Sequence, residues 1–321
     1  MTAGTTRLTG AGKTRRSPWM IADRLDWIEL VTSHACNCHC EVCPSSNVEP
    51  RSLTAQGMAE ALQLGRRRGA TGAWFGGGEP TLHPALLPLV EHARSLGYRR
   101  IRIQTNGMRL AYEAYARELV RAGANEFALA VKGPDAVTHN AMARHPQAFA
   151  LLERGAKQLA TLGVRCEADV LMTRASIDRL AETVERFVDL GACAFTFWLM
   201  SLHGLDQAQM ASLMPSMTEV VRPLQRALDR AGELRAQAST LHTPPCVLEP
   251  QYRRNYQHAG TWRLLVVVPE GQPFMAEDSP IEGGVYLEGC ASCAARPDCL
   301  GLRADYLAAR GEHEFVPIPR A

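Results

Sequence analysis

The 321-residue sequence lacks any apolar run as long as a membrane span, and its basic N-terminus lacks the apolar stretch that an export signal requires. We therefore expect a cytoplasmic protein without a membrane partner. A charge excess is also missing, because 35 basic and 33 acidic residues leave a net charge of +2, which argues against a nucleic-acid binder. Lysine is scarce, since only Lys13, Lys132 and Lys157 occur among the basic residues. Lys132 is the only one of the three within a predicted strand.

Cysteine, in contrast, is abundant, with ten residues in the chain. A reducing compartment disfavours disulfides, so clustered thiols there indicate metal binding or redox chemistry. Two groups stand out, one near residue 40 and one near the C-terminus: Cys36, Cys38, Cys40, Cys43 and Cys290, Cys293, Cys299. Cys246 stands alone, and we expect the two other isolated cysteines, Cys166 and Cys193, in the core.

The chain divides into three parts by its residue pattern. Residues 1–24 are predicted to be a flexible lead, and 25–204 alternate between short β-branched or aromatic runs and longer helical stretches. The predicted strands are 25–32, 72–76, 100–105, 126–132, 164–172 and 193–199, and the helices between them are 54–68, 84–96, 110–122, 147–162 and 178–190. This alternation predicts an α/β fold, a partial (β/α)6 TIM-like barrel, with an open doubly wound sheet as the alternative. Residues 205–321 read as a small C-terminal domain held by its cysteines.

Cys36, Cys40 and Cys43 follow the first predicted strand with the spacing C-x3-C-x2-C. Three thiolates on one loop can hold three irons of a [4Fe–4S] cube and leave the fourth open. A zinc site completed by Cys38 or His39 is the alternative. The second strand ends in a glycine-rich turn with a carboxylate, Gly76-Gly77-Gly78-Glu79-Pro80, where the backbone can approach a ligand closely. In a parallel sheet both segments lie at the same edge.

With these two motifs in this order, residues 25–204 resemble the radical S-adenosylmethionine (radical SAM) superfamily. The resemblance implies that Cys36, Cys40 and Cys43 hold a [4Fe–4S] cluster and that Gly76 to Pro80 receive the methionine amino group of SAM. It further implies reductive cleavage of SAM to a 5′-deoxyadenosyl radical, which abstracts hydrogen from a substrate. Other candidates for contact with SAM or substrate lie at later strand ends: Thr105, Asn106, Lys132, Glu167, Asp169 and Arg174. Glu167 and Asp169 share one strand face, which we expect to line the barrel interior.

The C-terminal cysteines resemble the auxiliary-cluster region of the SPASM and twitch groups of this superfamily. Cys290, Cys293 and Cys299, with Cys246 upstream, supply four thiols, and no cysteine follows Cys299. The expectation is one auxiliary [4Fe–4S] cluster in a shortened, twitch-like domain, with a zinc ribbon as the alternative. If Cys246 is not a ligand, an open iron there would be available to substrate.

The resemblance implies an enzyme that modifies a peptide or a small natural product by oxidation, crosslinking or epimerisation. It would take electrons from a donor such as flavodoxin or ferredoxin. Only about 24 residues precede the first predicted strand, too few for a peptide-recognition domain, so a separate partner or a small substrate is expected. In an epimerase, Cys38 is a candidate hydrogen donor, although packing is the preferred interpretation. A molybdenum-cofactor-type cyclase and a non-catalytic metal-binding scaffold remain alternatives.

Overall fold

The computed structural model describes residues 22–43, 49, 51–199, 207–279 and 281–320, apart from the side chains of residues 207 and 211. Most of the predicted lead at residues 1–24 lies outside this range. Across the described residues, no helix is both long and apolar enough to span a membrane.

One curved sheet organises the described part of the chain. Its order is β7-β6-β5-β4-β3-β2-β1-β8-β9, and every pair is parallel except β8 with β9. The strands are β1 Trp27–Val31, β2 Gly72–Gly76, β3 Arg100–Thr105, β4 Glu126–Val131, β5 Arg165–Met172, β6 Ala194–Leu199, β7 Gln237–Thr240, β8 Leu264–Val267 and β9 Phe274–Met275. The six predicted strands are thus confirmed, and the open, curved sheet confirms the partial barrel.

Helices cover the outer face of this sheet, as parallel strands joined by crossovers require. They are α1 Ala55–Arg67, α2 Leu86–Ser95, α3 Glu113–Ala122, α4 Ala136–Ala143, α5 Ala148–Thr161, α6 Leu180–Asp189, α7 Gln207–Leu213, α8 Met217–Glu233 and α9 Ala304–Arg310. Start signals are visible in the sequence: Thr54 caps α1 by accepting from the Gly57 amide, and Ser216 with Glu219 forms a capping box on α8.

The two faces of the strands differ in chemistry. On the helix side, buried apolar residues such as Ile28, Phe75 and Phe127 form the main core together with Cys166. The opposite face carries charged and polar side chains, which therefore line the lumen of the partial barrel. The expected core position of Cys166 is confirmed, whereas that of Cys193 is wrong, because its residue is exposed just before β6.

The segment after residue 204 contributes to this sheet at both edges. β7 pairs with β6 from Ala194↔Gln237 to Phe197↔Thr240, and β8 pairs with β1 from Trp27↔Leu264 to Leu30↔Val267. The residues between β7 and β8 bridge the open side of the barrel. The C-terminal segment therefore both closes the lumen and carries the later cysteines.

Candidate cofactor and substrate site

The loop that carries Cys36, Cys40 and Cys43 is held from two sides by backbone hydrogen bonds. On one side the Gly78 amide donates to Ser33 O at 2.6 Å, and the Glu79 amide donates to Ala35 O at 2.9 Å. On the other side, two loop amides donate to carbonyls in the last turn of α4, each at 3.1 Å. The end of β2 and the end of α4 thus clamp the loop at the carboxyl edge of the sheet.

Gly78 shows why the second motif is rich in glycine. A Cβ built on Gly78 would lie 2.3 Å from Ala35 O and 2.6 Å from His34 O, so the cysteine loop occupies the space of a side chain. Gly77 adds a second constraint, because its φ of +109° disfavours any residue with a Cβ. The glycines therefore serve close packing of two backbone segments, a role that the motif alone did not reveal.

Glu79 links the ends of two strands through its carboxylate, which is 1% exposed. Oε1 accepts from the Thr81 amide at 3.0 Å, the Thr81 hydroxyl at 2.6 Å and the Thr105 hydroxyl at 2.7 Å, while Oε2 accepts from the Asn106 amide at 2.8 Å. Pro80 begins the short turn that follows and is buried as well. The structure gives the Glu79 side chain a positioning role between β2 and β3.

Asn106 extends this network to the cysteines. Its Nδ2 donates to Asn37 Oδ1 at 2.7 Å and lies 3.7 Å from Cys38 Sγ and 3.9 Å from Cys36 Sγ. Thr105 and Asn106 are therefore brought together with Glu79 and the cysteine loop, as the strand-end argument predicts for one shared site.

Cys38 lies inside the loop and is buried against Met108, with the two sulfur atoms 3.5 Å apart. Its thiol hydrogen-bonds to Cys36 and Cys40, which lowers the pKa of Cys36 and brings the pKa of Cys40 to about 6. The same bonds raise the pKa of Cys38 itself. These contacts favour the neutral thiol at Cys38 and the thiolate at its two neighbours.

Lys132 is buried directly after β4. Its Nζ donates to Ala130 O at 3.3 Å, its amide donates to His139 Nδ1 at 3.2 Å, and its charge contributes to the lowered pKa of Cys40. Burial and the Lys132 charge together lower the pKa of His139, which keeps that ring neutral. Lys132 is therefore a buried side chain beside the cysteine loop, and it does not extend to solvent.

Glu167 and Asp169 both face the lumen, as the alternation of β5 predicts. Glu167 pairs with Arg102 and with Arg165 Nε at 2.7 Å, while Asp169 Oδ2 accepts from Gln104 Nε2 at 2.8 Å. Burial is the main cause that raises the pKa of Asp169 to about 6. Glu167 is thus engaged by arginines, whereas Asp169 has an amide as its partner.

Glu29 in the middle of β1 is a lumen carboxylate that the sequence analysis missed. Its pKa is raised to about 7, first by burial and then by the charges of Glu282 and Asp169, against the opposing effect of Arg102. The β1 sequence Trp-Ile-Glu-Leu-Val places a charged residue within a strand whose neighbours are apolar, and this irregular alternation is the signal that could have identified it.

Arg174 lies apart from the other predicted site residues. Its guanidinium pairs with Glu219 on α8, and its amide donates to Leu213 O on α7 at 3.1 Å. In the described chain the structure gives it no contact with the cysteine loop or the β2 turn.

The four C-terminal thiols converge on one pocket, which Cys246, Cys290, Cys293 and Cys299 line together. Burial first, and then the charges of the other three cysteines, raise the pKa of Cys246 to about 12. Backbone amides point at two of the sulfurs, at 3.3 Å from Gly301 N to Cys299 Sγ and from Ile318 N to Cys293 Sγ. Within the described ranges, no group of three or more His, Cys, Asp or Glu side chains, these four thiols included, is gathered closely enough to hold a single metal ion.

Comparison with known proteins identifies relatives of the part of the chain that carries the cysteine loop and the β2 turn. Residues 30–187 match the radical SAM superfamily. A curated relative, PqqA peptide cyclase from Streptomyces rochei, is 31% identical over 196 residues, which cover 60% of this chain and 52% of the relative. The chain thus spans about half the length of that relative.

Solved structures share the fold. SuiB from Streptococcus suis bound to S-adenosylmethionine has a TM-score of 0.67 at 16% identity, covering 93% of this chain and 77% of SuiB. SuiB bound to the precursor peptide SuiA gives 0.63 at 15% identity, with coverage of 80% and 61%. These structures show the fold, and the radical SAM superfamily match covers residues 30–187, which include the cysteine loop and the β2 turn that clamps it.

Proposed function

We propose that the chain is a radical SAM enzyme that modifies a peptide substrate. The observation that carries this proposal is the clamp around the loop of Cys36, Cys40 and Cys43, which the β2 turn contacts directly. The match of residues 30–187 to the radical SAM superfamily implies SAM and a [4Fe–4S] cluster, and the three cysteines would hold that cluster. When bound, the reduced cluster and SAM together supply a 5′-deoxyadenosyl radical that abstracts hydrogen from substrate.

The residues of this chain would position the cofactor rather than take part in bond cleavage. The backbone of Gly76 to Glu79 lies against the cysteine loop, and the buried Glu79 carboxylate fixes Thr105 and Asn106 beside it. Lys132 places a positive charge near Cys40. Cys38 we assign to packing, because its thiol is engaged by Met108, Cys36 and Cys40 rather than directed into the lumen.

We further propose that residues 205–321 hold an auxiliary [4Fe–4S] cluster, alongside the SAM site carried by 25–204. The convergence of all four thiols on one pocket supports this assignment and includes Cys246, despite its distance in sequence. Amide donors aimed at Cys293 and Cys299 support it as well, because hydrogen bonds to sulfur are a feature of iron–sulfur sites. A full set of four thiolates would leave no open iron for substrate.

The peptide substrate is proposed from the relatives. One acts on the PqqA peptide by its name, and SuiB was solved with its precursor peptide. Oxidation, crosslinking and epimerisation are the reactions that fit the auxiliary cluster. An electron donor such as flavodoxin or ferredoxin and a separate peptide-recognition partner would complete the system.

Anaerobic reconstitution tests the proposal. Incubation with SAM and dithionite should yield 5′-deoxyadenosine, and iron analysis should give about eight irons per chain for two clusters or about four for one. Cys36→Ala should abolish 5′-deoxyadenosine, whereas Cys193→Ala, at an exposed thiol outside both groups, should leave it unchanged. A reconstituted wild-type chain that cleaves no SAM would overturn the enzyme assignment.

A further inference from the structure

The lumen of the barrel carries more negative than positive charge once its ion pairs are counted. Among the described residues, three guanidiniums face the lumen, those of Arg100, Arg102 and Arg165, and all of them bind Glu126 or Glu167. This pairing leaves three other carboxylates without an arginine partner, namely those of Glu29, Asp169 and Glu282. Glu282 has His242 Nε2 at 3.3 Å, and Asp169 has the Gln104 amide.

Glu29 is the least satisfied of these carboxylates. Within the described part of the chain it has no hydrogen-bond or ion-pair partner, although it lies half-buried in the middle of β1. Asp169 and Glu282 are near enough to raise its pKa. A half-buried carboxylate that lacks a partner has lost part of its hydration, and a ligand that brings a positive charge would offset that loss.

A second polar atom nearby is also unpaired. Trp74 is 5% exposed, and its indole Nε1 is buried with no hydrogen-bond partner. A Cβ placed on Gly76 would lie 3.0 Å from Glu29 Oε1, 3.3 Å from Gln104 Oε1 and 3.6 Å from Trp74 Nε1, so these three groups surround one point. An unpaired donor and an unpaired carboxylate at one point indicate that a ligand with both a cation and an acceptor belongs there.

The lumen has room for such a ligand. A cavity of about 370 Å³ is lined by Trp74 and Asp169, by the three paired arginines, and by residues of both edge strands, including Ser239 on β7 and Leu264 on β8. Glu29 is not among the residues that line it. That volume is in the range of small-molecule sites. The indole of Trp262, between the edge strands, lies 6.2 Å from the Trp74 ring and keeps this wall apolar, which strengthens charge interactions inside.

We propose that Glu29 and Asp169 bind a positively charged group of the substrate, an ammonium or guanidinium on a peptide side chain, inside the barrel. This inference rests on the proposed function, because it names the chemistry of the substrate that the radical would attack. The Trp74 indole would donate to a carbonyl of the same peptide. SAM is itself cationic, so the test must separate substrate from cofactor.

The test uses the reconstituted full-length chain with saturating SAM and three capped tripeptides, acetyl-Gly-X-Gly-amide with X as lysine, arginine or norleucine. Anaerobic calorimetry should show the two cationic probes binding at least about tenfold more tightly than norleucine. Glu29→Gln and Asp169→Asn should each reduce that preference to about threefold or less. Glu91→Gln, on the exposed face of α2, is the matched control and should retain the full preference.

Three results would overturn the inference: norleucine binding as tightly as lysine and arginine, both lumen variants keeping the preference, or Glu29→Gln weakening SAM binding as much as probe binding. The last result would assign the carboxylate to the cofactor. Circular dichroism melts check that each variant folds, and Asp169→Asn remains informative if Glu29→Gln does not. Failure to form 5′-deoxyadenosine with the cationic preference intact would instead count against the proposed function alone.

Discussion

The packing of Gly78 against the cysteine loop predicts the effect of a single methyl group. In Gly78→Ala the new Cβ would lie 2.3 Å from Ala35 O, whereas ordinary contacts begin at 3.4 Å, so the loop must retreat by about 1 Å. The φ of Gly78 is not in the left-handed region, so the substitution tests this contact and not backbone strain. Retreat of the loop would weaken the hydrogen bonds from Gly78 to Ser33 and from Glu79 to Ala35.

The magnitude follows from these two bonds. A net contribution of about 0.5–1.5 kcal/mol each gives a loss of about 1–3 kcal/mol in the free energy of unfolding, which matches the usual cost of overpacking. Because the displaced loop carries Cys36, Cys40 and Cys43, we also expect Gly78→Ala to lose the iron of the SAM cluster after reconstitution. Urea unfolding of the iron-free chain and iron analysis of the reconstituted chain measure the two effects separately.

Gly232→Ala is the matched control. Gly232 lies in α8, where a Cβ would meet nothing within 4 Å, so the same substitution should stabilise the helix by up to about 1 kcal/mol and leave the iron content unchanged. If Gly78→Ala retains both wild-type stability and wild-type iron, the loop is not seated on the β2 turn and the argument for the shared site is wrong.

Three further predictions concern the lumen and the auxiliary pocket. Burial and neighbouring carboxylates raise the pKa of Glu29 to about 7, above its unfolded value, so its contribution to stability falls as the pH rises from about 4.5 to about 7. Glu29→Gln should therefore stabilise the chain by about 1–3 kcal/mol more at pH 8 than at pH 4, as urea unfolding at the two pH values would show; an equal effect at both would contradict the shift. Cys246→Ala should lower the iron content from about eight towards about four irons per chain, whereas Cys193→Ala should leave it unchanged. A Cys246→Ala variant that still binds about eight irons would show that Cys246 is not a cluster ligand. The Tyr256 hydroxyl hydrogen-bonds to Cys299, so Tyr256→Phe should lower the reduction potential of the auxiliary cluster. An electron paramagnetic resonance titration measures this potential, and an unchanged value would show that the Tyr256 hydroxyl does not hydrogen-bond to the cluster ligands.

Much of the fold could be predicted because strand and helix periods alternate clearly through residue 199. β4 and β5 were recognisable from their apolar and β-branched content, and the alternation within β5 correctly placed Glu167 and Asp169 on the lumen face. Their arginine and amide partners lie on other strands, which are distant in sequence, so the composition of β5 could not reveal them.

The edge strands were harder to recognise for a physical reason. β7 spans only Gln237–Thr240 and carries no strong strand signal, so its pairing with β6 depends on the tertiary context. The apolar run around β8 was visible, but its partner β1 lies more than 200 residues earlier, and local pattern does not encode such pairing. Glu29 was not predicted as a lumen residue because the candidate site residues were sought at strand ends, and Glu29 lies in the middle of β1.

These two edge strands explain how the proposed auxiliary site is tied to the lumen. β7 leads directly into the turn that carries Cys246, and Thr240 at its end forms a bridge with Tyr256. The Tyr256 hydroxyl then accepts from the Leu300 amide at 3.3 Å, next to Cys299. A second connection runs from Arg303, which donates to Leu199 O at the end of β6 at 3.2 Å. Because the segment that closes the barrel also positions the four thiols, a change in the auxiliary pocket and a change in the lumen wall would act on the same short stretch of backbone.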